Sequence, residues 1–220
     1  MMNNGSYVKK IGILGGTFNP IHIGHLMLAE NALEYCGLDK VLIMPSACSY
    51  FKDQSNIASP GHRLDMAKLA IKGNDRFELS TIEVDRGGYT YTYETLEKLC
   101  CDDPRAEYYY IVGADTLLQM EKWKKPDVIF SKCTIVCVGR DKITAVTLKE
   151  KAAFLSREYG AEIIIMDIPE VPISSTMIRA MLVKNMTCKY YLDDGVIKYI
   201  KDNGLYSSTT HQVLHGNNTD

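Results

Sequence analysis

Two histidines three residues apart stand at the start of a predicted helix. His22 and His25 follow the segment Gly15-Gly16-Thr17-Phe18, which comes directly after an apolar, strand-like run. Residues three apart on a helix share a face, so both rings are expected to point to one place. The free N–H groups of a helix start attract an anion, and the helix dipole should lower the pKa of both rings. Neutral histidines can donate to phosphate oxygens, and the segment therefore predicts a phosphate site.

Other chemistries fit this segment less well. An HxxH pair can bind zinc, but no third ligand lies nearby in the sequence, and a helix N-terminus disfavours a cation. No Gly-Lys-Ser or Gly-Lys-Thr follows the glycines, so the segment is not a P-loop, and it does not spell the GxGxxG dinucleotide fingerprint. Two glycines after a strand usually form only a turn. Their combination with the histidines is what favours a functional site.

A second anion site is predicted at the segment 173–179, Ile-Ser-Ser-Thr-Met-Ile-Arg. Ser174 or Ser175 can cap a helix there, and the N–H groups of the first turn then face an anion. Arg179 can add a planar fork of donors. Taken alone, this segment is explained equally well by an ordinary capped helix with a surface arginine.

The apolar pattern alternates between short strand-like runs and longer helix-like runs. Strands are predicted at 8–14, 40–44, 77–84, 108–112, 133–138 and 162–166. Helices are predicted at 23–36, from 59, at 92–101, in broken form over 114–131, at 147–160, from 174 and at 195–203. Apolar strands that alternate with helices indicate an α/β fold: a Rossmann-like, doubly wound parallel sheet with helices on both faces and a helical C-terminal end. Ligands of such sheets bind beyond the carboxyl ends of the strands, where both candidate segments fall.

Composition narrows the class of protein. The 220 residues are 46% hydrophobic and 24% charged, as in soluble globular proteins, which excludes a mostly disordered chain. A net charge of −2 disfavours a nucleic acid polymer as partner. No apolar run approaches the ~20 residues of a membrane helix, and the polar start is no secretory signal.

Cysteine usage and the chain ends complete the outline. Seven cysteines is an odd number without a CxxC pair, which favours reduced thiols and a cytoplasmic location. No linker divides the chain, so we expect a single domain over 1–206 and a flexible tail over 207–220. The sequence leaves open whether identical copies associate into a homo-oligomer.

The segment 15–25, GGTFNPIHIGH, resembles the first motif of the nucleotidyltransferase superfamily that bears an [HT]xGH element. The positions that match are Gly15, Gly16, Thr17, Phe18, Pro20, His22, Gly24 and His25. The segment 173–179 matches the ISSTxIR motif of the same superfamily. Such enzymes join the AMP or CMP moiety of a nucleotide to a phosphate-bearing acceptor and release pyrophosphate.

Further segments are similar to nicotinate-mononucleotide adenylyltransferases. The stretch 90–96, TYTYETL, resembles their SYTxxTL, and 113–115 with Trp123 resembles their GAD…W. Residues 59–66 and 203–206 also agree, so the resemblance runs from about 9 to 206. It implies transfer of AMP from ATP to nicotinate mononucleotide, giving deamido-NAD and pyrophosphate in NAD biosynthesis, with Mg²⁺ bound through the substrate phosphates.

The resemblance also implies a role for individual residues. The expected catalytic residues are His25, His22, Lys52 and Arg179. The expected ATP contacts are Gly15, Gly16, Thr17, Phe18, His22, Gly24, His25, Lys52, Gly113, Asp115, Ser174, Ser175, Thr176 and Arg179. The expected acceptor contacts are Thr17, Tyr91, Thr92, Asp115 and Trp123, where the only tryptophan offers a flat ring to the pyridine. No side chain is expected to ligate a metal directly.

The chain departs from the family pattern in two places. Residues 49–52 are SYFK where the family usually has PPHK, so Lys52 is kept but the loop histidine is replaced by Phe51. Asn19 stands where an aspartate is usual.

Three alternatives stay open beside this function. The acceptor could be nicotinamide mononucleotide, or both the acid and the amide, because selection of a carboxylate by backbone N–H groups leaves little trace in side-chain identities. Phosphopantetheine is disfavoured by the 90–96 and GAD…W segments. The third is a non-catalytic nucleotide-binding module, since fold does not fix function.

Overall fold

The computed structural model describes residues 7–47, 57–138, 142–168 and 171–207, without the side chains of 142–145. Lys52 and the rest of the SYFK segment lie outside the described residues, as does the predicted tail beyond Ser207. Six parallel strands form one sheet in the order β3-β2-β1-β4-β5-β6. The strands are β1 Lys10–Gly16, β2 Lys40–Pro45, β3 Phe77–Leu79, β4 Glu107–Gly113, β5 Thr134–Val138 and β6 Ile163–Met166.

Helices connect the strands and cover the sheet. They are α1 Ile23–Cys36, α2 Pro60–Ala70, α3 Ile82–Arg86, α4 Thr92–Asp102, α5 Ala114–Leu117, α6 Pro126–Lys132, α7 Lys142–Tyr159, α8 Ser175–Val183 and α9 Asp194–Asp202, with a 3₁₀ turn at Met120–Lys122. Among the described residues, no helix combines the length and apolarity that a membrane span requires. The expected doubly wound α/β fold with a helical C-terminal end is confirmed.

Two apolar cores lie on opposite faces of the sheet. Along β2, Val41 and Ile43 belong to one core, and Leu42 and Met44 to the other. This alternation follows because successive side chains of a strand point to opposite faces. Burial on both faces explains why the strands have apolar residues at nearly every position.

The strand order reverses between β1 and β4. These neighbours pair directly, with Ile13 opposite Tyr110, although about ninety residues separate them along the chain. The connection after β1 runs to one side of the sheet and the connection after β4 runs to the other. A crevice therefore opens between them at the carboxyl ends, which is the usual ligand site of this fold.

The predicted strand boundaries were wrong at two places that matter for the site. The first strand was expected to end at 14, but Gly15 and Gly16 continue it and lie opposite Met44 and Pro45 of β2. The third was expected over 77–84, but β3 stops at Leu79 and α3 follows. As the edge strand, β3 pairs with β2 alone, so little holds the chain in extended form beyond that point. The helix expected from 147 begins earlier, at Lys142.

Candidate active site

One open cleft of about 1450 Å³ lies at the carboxyl ends of β1 and β4. Every described residue that the sequence singled out for the site lines it. These residues are Gly15, Gly16, Thr17, Phe18, His22, Gly24, His25, Tyr91, Thr92, Gly113, Asp115, Trp123, Ser174, Ser175, Thr176 and Arg179. Segments that are far apart in sequence thus converge on one ligand-sized space.

The turn between β1 and α1 is tightly packed. Phe18 is buried with a positive φ of 48°, and a Cβ at Gly16 would lie 2.9 Å from its ring. The next residue, Asn19, accepts hydrogen bonds on Oδ1 from the Ala58 N–H at 3.0 Å and the Tyr206 hydroxyl at 2.7 Å. An amide oxygen can accept both bonds. Asn19 therefore fixes the turn to two distant segments without the negative charge of the usual aspartate.

The two histidine rings lie together, as predicted. Their centroids are 3.7 Å apart in a stacked arrangement, and the backbone N–H of His22 donates to Nδ1 of His25 at 3.2 Å. Because Nδ1 of His25 accepts this hydrogen bond, a neutral ring carries its proton on Nε2. A Cβ at Gly24 would lie 3.1 Å from the His22 ring, so the glycine permits the close approach. His25 is thereby prepared as an Nε2–H donor.

His22 is the more buried ring, only 5% exposed. Burial lowers the pKa of His22 to about 4, so the ring is neutral at neutral pH. The lowered pKa agrees with the expectation for this ring, and removal from water is its cause. Nδ1 of His22 has no hydrogen-bond partner among the described residues.

The burial of His22 makes stability depend on pH. As the pH falls below 6.5, the unfolded chain binds a proton that the folded chain cannot bind until about pH 4. Above pH 6.5, His22 should therefore not change the free energy of unfolding with pH. By pH 5, it should lower the free energy of unfolding by roughly 2 kcal/mol. Urea unfolding at pH 7 and pH 5 measures it. The His22→Asn variant should lose less stability on acidification, and equal losses in both proteins would contradict the assignment.

The N-terminus of α8 is held against the β1–α1 turn. Ser174 caps the helix, accepting from the Met177 N–H at 3.1 Å, while the Ser175 hydroxyl donates to the carbonyl of Pro20 at 2.8 Å. Nη1 of Arg179 donates to the carbonyl of Asn19 at 2.8 Å. The two candidate anion segments thus form one wall of the cleft. An anion there would meet the helix N-terminus and the guanidinium together.

A buried arginine supports this wall and was not singled out from the sequence. Arg63 is 1% exposed and donates to three carbonyls: Ala58 at 3.0 Å, Thr17 at 2.8 Å and Ala47 at 2.8 Å. Its planar fork can serve several acceptors at once. Arg63 therefore joins the turn after β1 to the ends of the connection between β2 and α2.

Trp123 lines the same cleft and packs against Tyr110. The Tyr110 ring meets Trp123 edge-on at 6.1 Å, and its hydroxyl hydrogen-bonds with the Thr92 side chain. A Cβ at Gly15 would lie 2.8 Å from that hydroxyl, so the glycine makes room for it. Burial raises the pKa of Tyr110, which stays protonated.

Glu83 is a second supporting residue that sequence reasoning missed. Its carboxylate is 8% exposed and accepts from the Thr95 hydroxyl at 2.9 Å, and it also hydrogen-bonds with the Thr90 side chain. Burial raises the pKa of this carboxyl. Since the stretch was expected to be a strand, no role was assigned to it. The two hydroxyls fix the segment that leads into Tyr91 and Thr92.

Comparison with known proteins gives a consistent result. The cytidylyltransferase-like family model matches residues 13–181. A protein of Lachnoclostridium phytofermentans named "Probable nicotinate-nucleotide adenylyltransferase" is 38% identical over 199 residues, covering 90% of this chain and 100% of its own. One of the same name from Lactococcus lactis is 40% identical over 198 residues, covering 90% and 95%.

Solved structures show the same fold. The nicotinic acid mononucleotide adenylyltransferase of Plasmodium falciparum, complexed with NaAD, superposes with a TM-score of 0.74 at 21% identity. The match covers 90% of this chain and 97% of that one. The same enzyme complexed with APC gives a TM-score of 0.72 at 20% identity.

Proposed function

The chain belongs to the cytidylyltransferase-like family and, within it, to the nicotinate-nucleotide adenylyltransferases, and we propose that it transfers AMP from ATP to nicotinate mononucleotide. The products are deamido-NAD and pyrophosphate, in NAD biosynthesis. One observation supports this most directly: a single cleft is lined both by the histidine pair with Arg179 and by Trp123 with Tyr91. Such a cleft suits one ligand rich in phosphate beside another that bears an aromatic ring.

We assign the part of the cleft lined by the histidine pair and Arg179 to ATP. His22, His25, Arg179 and Lys52 act on its phosphates, and Lys52 stays a prediction from sequence. The remaining ATP contacts are Gly15, Gly16, Thr17, Phe18, Gly24, Gly113, Asp115, Ser174, Ser175 and Thr176. The acceptor occupies the part lined by Trp123, with Thr17, Tyr91, Thr92, Asp115 and Trp123 around it.

The reaction is an in-line displacement at phosphorus. An oxygen of the acceptor phosphate forms a bond to the α-phosphorus of ATP, and the bond from that phosphorus to the oxygen bridging to the β-phosphate breaks. The electron pair leaves with pyrophosphate. An ionised phosphate is already a nucleophile, so the protein supplies position and charge stabilisation rather than a general base. His25 donates from Nε2 to the charge that develops on the phosphates.

Mg²⁺ is proposed to enter with ATP. Among the described residues no group of three or more His, Cys, Asp or Glu could hold a metal ion, and the carboxylates that line the cleft are Glu83 and Asp115. Mg²⁺ usually keeps several waters and binds through phosphates, which fits so sparse a donor set. The ion supplies positive charge to the phosphates when bound.

We also propose a cytoplasmic location. The six described cysteines are free thiols, which fits a reducing compartment.

Pyrophosphate release tests the function. With ATP and Mg²⁺, we expect release that depends on nicotinate mononucleotide and is weaker with the amide. Equal use of both acceptors would make the pocket dual in specificity. If neither acceptor supports release although both substrates bind, the non-catalytic module gains support. Exchange of pyrophosphate into ATP that depends on deamido-NAD provides an independent check of the reverse reaction.

A further inference from the structure

Two adjacent lysines lie over two tyrosine rings beside Trp123. Nζ of Lys124 lies 4.0 Å from the ring centroid of Tyr91, and Nζ of Lys125 lies 4.4 Å from that of Tyr93. Lys124 lines the cleft together with Trp123 and Tyr91, whereas Lys125 is not among the lining residues. An ammonium over an aromatic face is attracted by the ring, which keeps it near one place. The cleft thus has a positioned cation next to its aromatic wall.

We propose that Lys124 is a specificity-determining residue that favours an acceptor with a carboxylate on its aromatic ring over the corresponding amide. The inference rests on the proposed function, because it assumes that the acceptor ring lies against Trp123. Among the described part of the chain, Lys124 forms no ion pair with a carboxylate. No carboxylate of the described residues therefore neutralises its charge, which a ligand can use.

The charges around the cleft make such a cation useful. Glu83 and Asp115 line the same cleft, and an ionised carboxylate ligand would be repelled by both. The acid and the amide have nearly the same shape, so packing against Trp123 separates them poorly. The acid is ionised and the amide is neutral, so a charged side chain distinguishes them better than packing does. For a partly solvated pair, the gain in preference should be roughly 3- to 10-fold.

The test compares kcat/KM for the acid and the amide acceptor in wild type, Lys124→Gln and Lys125→Gln. We expect the acid-to-amide ratio to fall roughly 3- to 10-fold in Lys124→Gln, mainly through a higher KM for the acid. The KM for ATP should not change. Lys125→Gln is the matched control, since it removes an equivalent cation over the next tyrosine and should keep the wild-type ratio. Lys124→Glu should lower the ratio further.

The dependence of the acid preference on ionic strength distinguishes a charge effect of Lys124 from a packing effect. Raising the ionic strength from about 0.05 M to about 0.5 M should lower the acid preference of wild type but not that of Lys124→Gln. An unchanged acid-to-amide ratio in Lys124→Gln would overturn the inference, and so would an equal fall of that ratio in Lys125→Gln. Lys122→Gln removes another cation that lines the cleft, and a fall of the ratio in this variant alone would overturn the inference as well. Wild type that uses the two acceptors equally also overturns it. Wild type that uses neither acceptor refutes the proposed function itself, and the two failures are thus distinguished.

Discussion

Replacing His25 by alanine is expected to lower kcat for AMP transfer by roughly 100- to 1,000-fold. The ring is held by the His22 N–H at its Nδ1 and by stacking at 3.7 Å, so its Nε2–H is positioned before the substrate arrives. A donor that needs no reorganisation stabilises developing charge most effectively. Alanine removes the donor without adding bulk. The rate of pyrophosphate release under saturating ATP and acceptor measures the effect.

Binding and a second histidine provide the controls for His25. Both substrates should still bind to His25→Ala with affinities close to those of wild type, because the lost interaction acts mainly in the transition state. His62 is the matched control: it lies outside the cleft, where Nδ1 is 2.9 Å from the Tyr199 hydroxyl, and His62→Ala should retain the wild-type rate within a few-fold. Full activity of His25→Ala would refute the mechanism.

The sequence predicts the parts of the site that local rules determine. His22 and His25 share a helix face because of their spacing alone, and Ser174 caps α8 as serine does at many helix starts. The carboxyl-end location follows from the alternation of strands and helices. Each of these predictions needs only a short window of sequence.

The rest depends on contacts between distant segments. Arg63 binds the carbonyls of Thr17 and Ala47, and Tyr206 donates to Asn19 from the far end of the chain. A backbone carbonyl has no sequence signature, so its partner cannot be identified from residue types. A charged residue on the buried face of α2, next to Met66 and Ala67, was the available signal for Arg63.

Burial in the folded protein determines the structure of the 77–84 segment and the pKa of His22, which local sequence propensity does not predict. The segment 77–84 has the apolar content of a strand, but Glu83 turns inward to the Thr95 and Thr90 hydroxyls, and the chain forms α3 there. For His22, the loss of water contact lowers the pKa, and the local sequence does not show how deeply the ring is buried. Both features depend on segments outside the local window, because those segments set the surroundings of a side chain in the folded protein.

Replacing Arg63 by methionine should lower the free energy of unfolding by roughly 2–4 kcal/mol. Methionine retains much of the volume, so the loss comes from three buried carbonyls that no longer have their donor. The variant also removes a buried charge, so the cost of desolvating that charge disappears. This gain offsets part of the loss and keeps the expected destabilisation from being larger. Because the Thr17 carbonyl belongs to the turn after β1, we expect the KM for ATP to rise as well. Urea unfolding and initial rates measure the two effects.

Arg76 is the matched control for Arg63. It is an exposed arginine whose side chain pairs with Glu30 and Glu34 on the surface, and Arg76→Met should lower the free energy of unfolding much less than Arg63→Met and leave the KM for ATP unchanged. Arg63→Lys should fall between wild type and Arg63→Met, since one ammonium keeps the charge but cannot reach three carbonyls in the geometry of a planar fork. If Arg63→Met proved as stable as Arg76→Met, the buried fork would be a packing feature and the turn would owe its position to Asn19 and α8 instead.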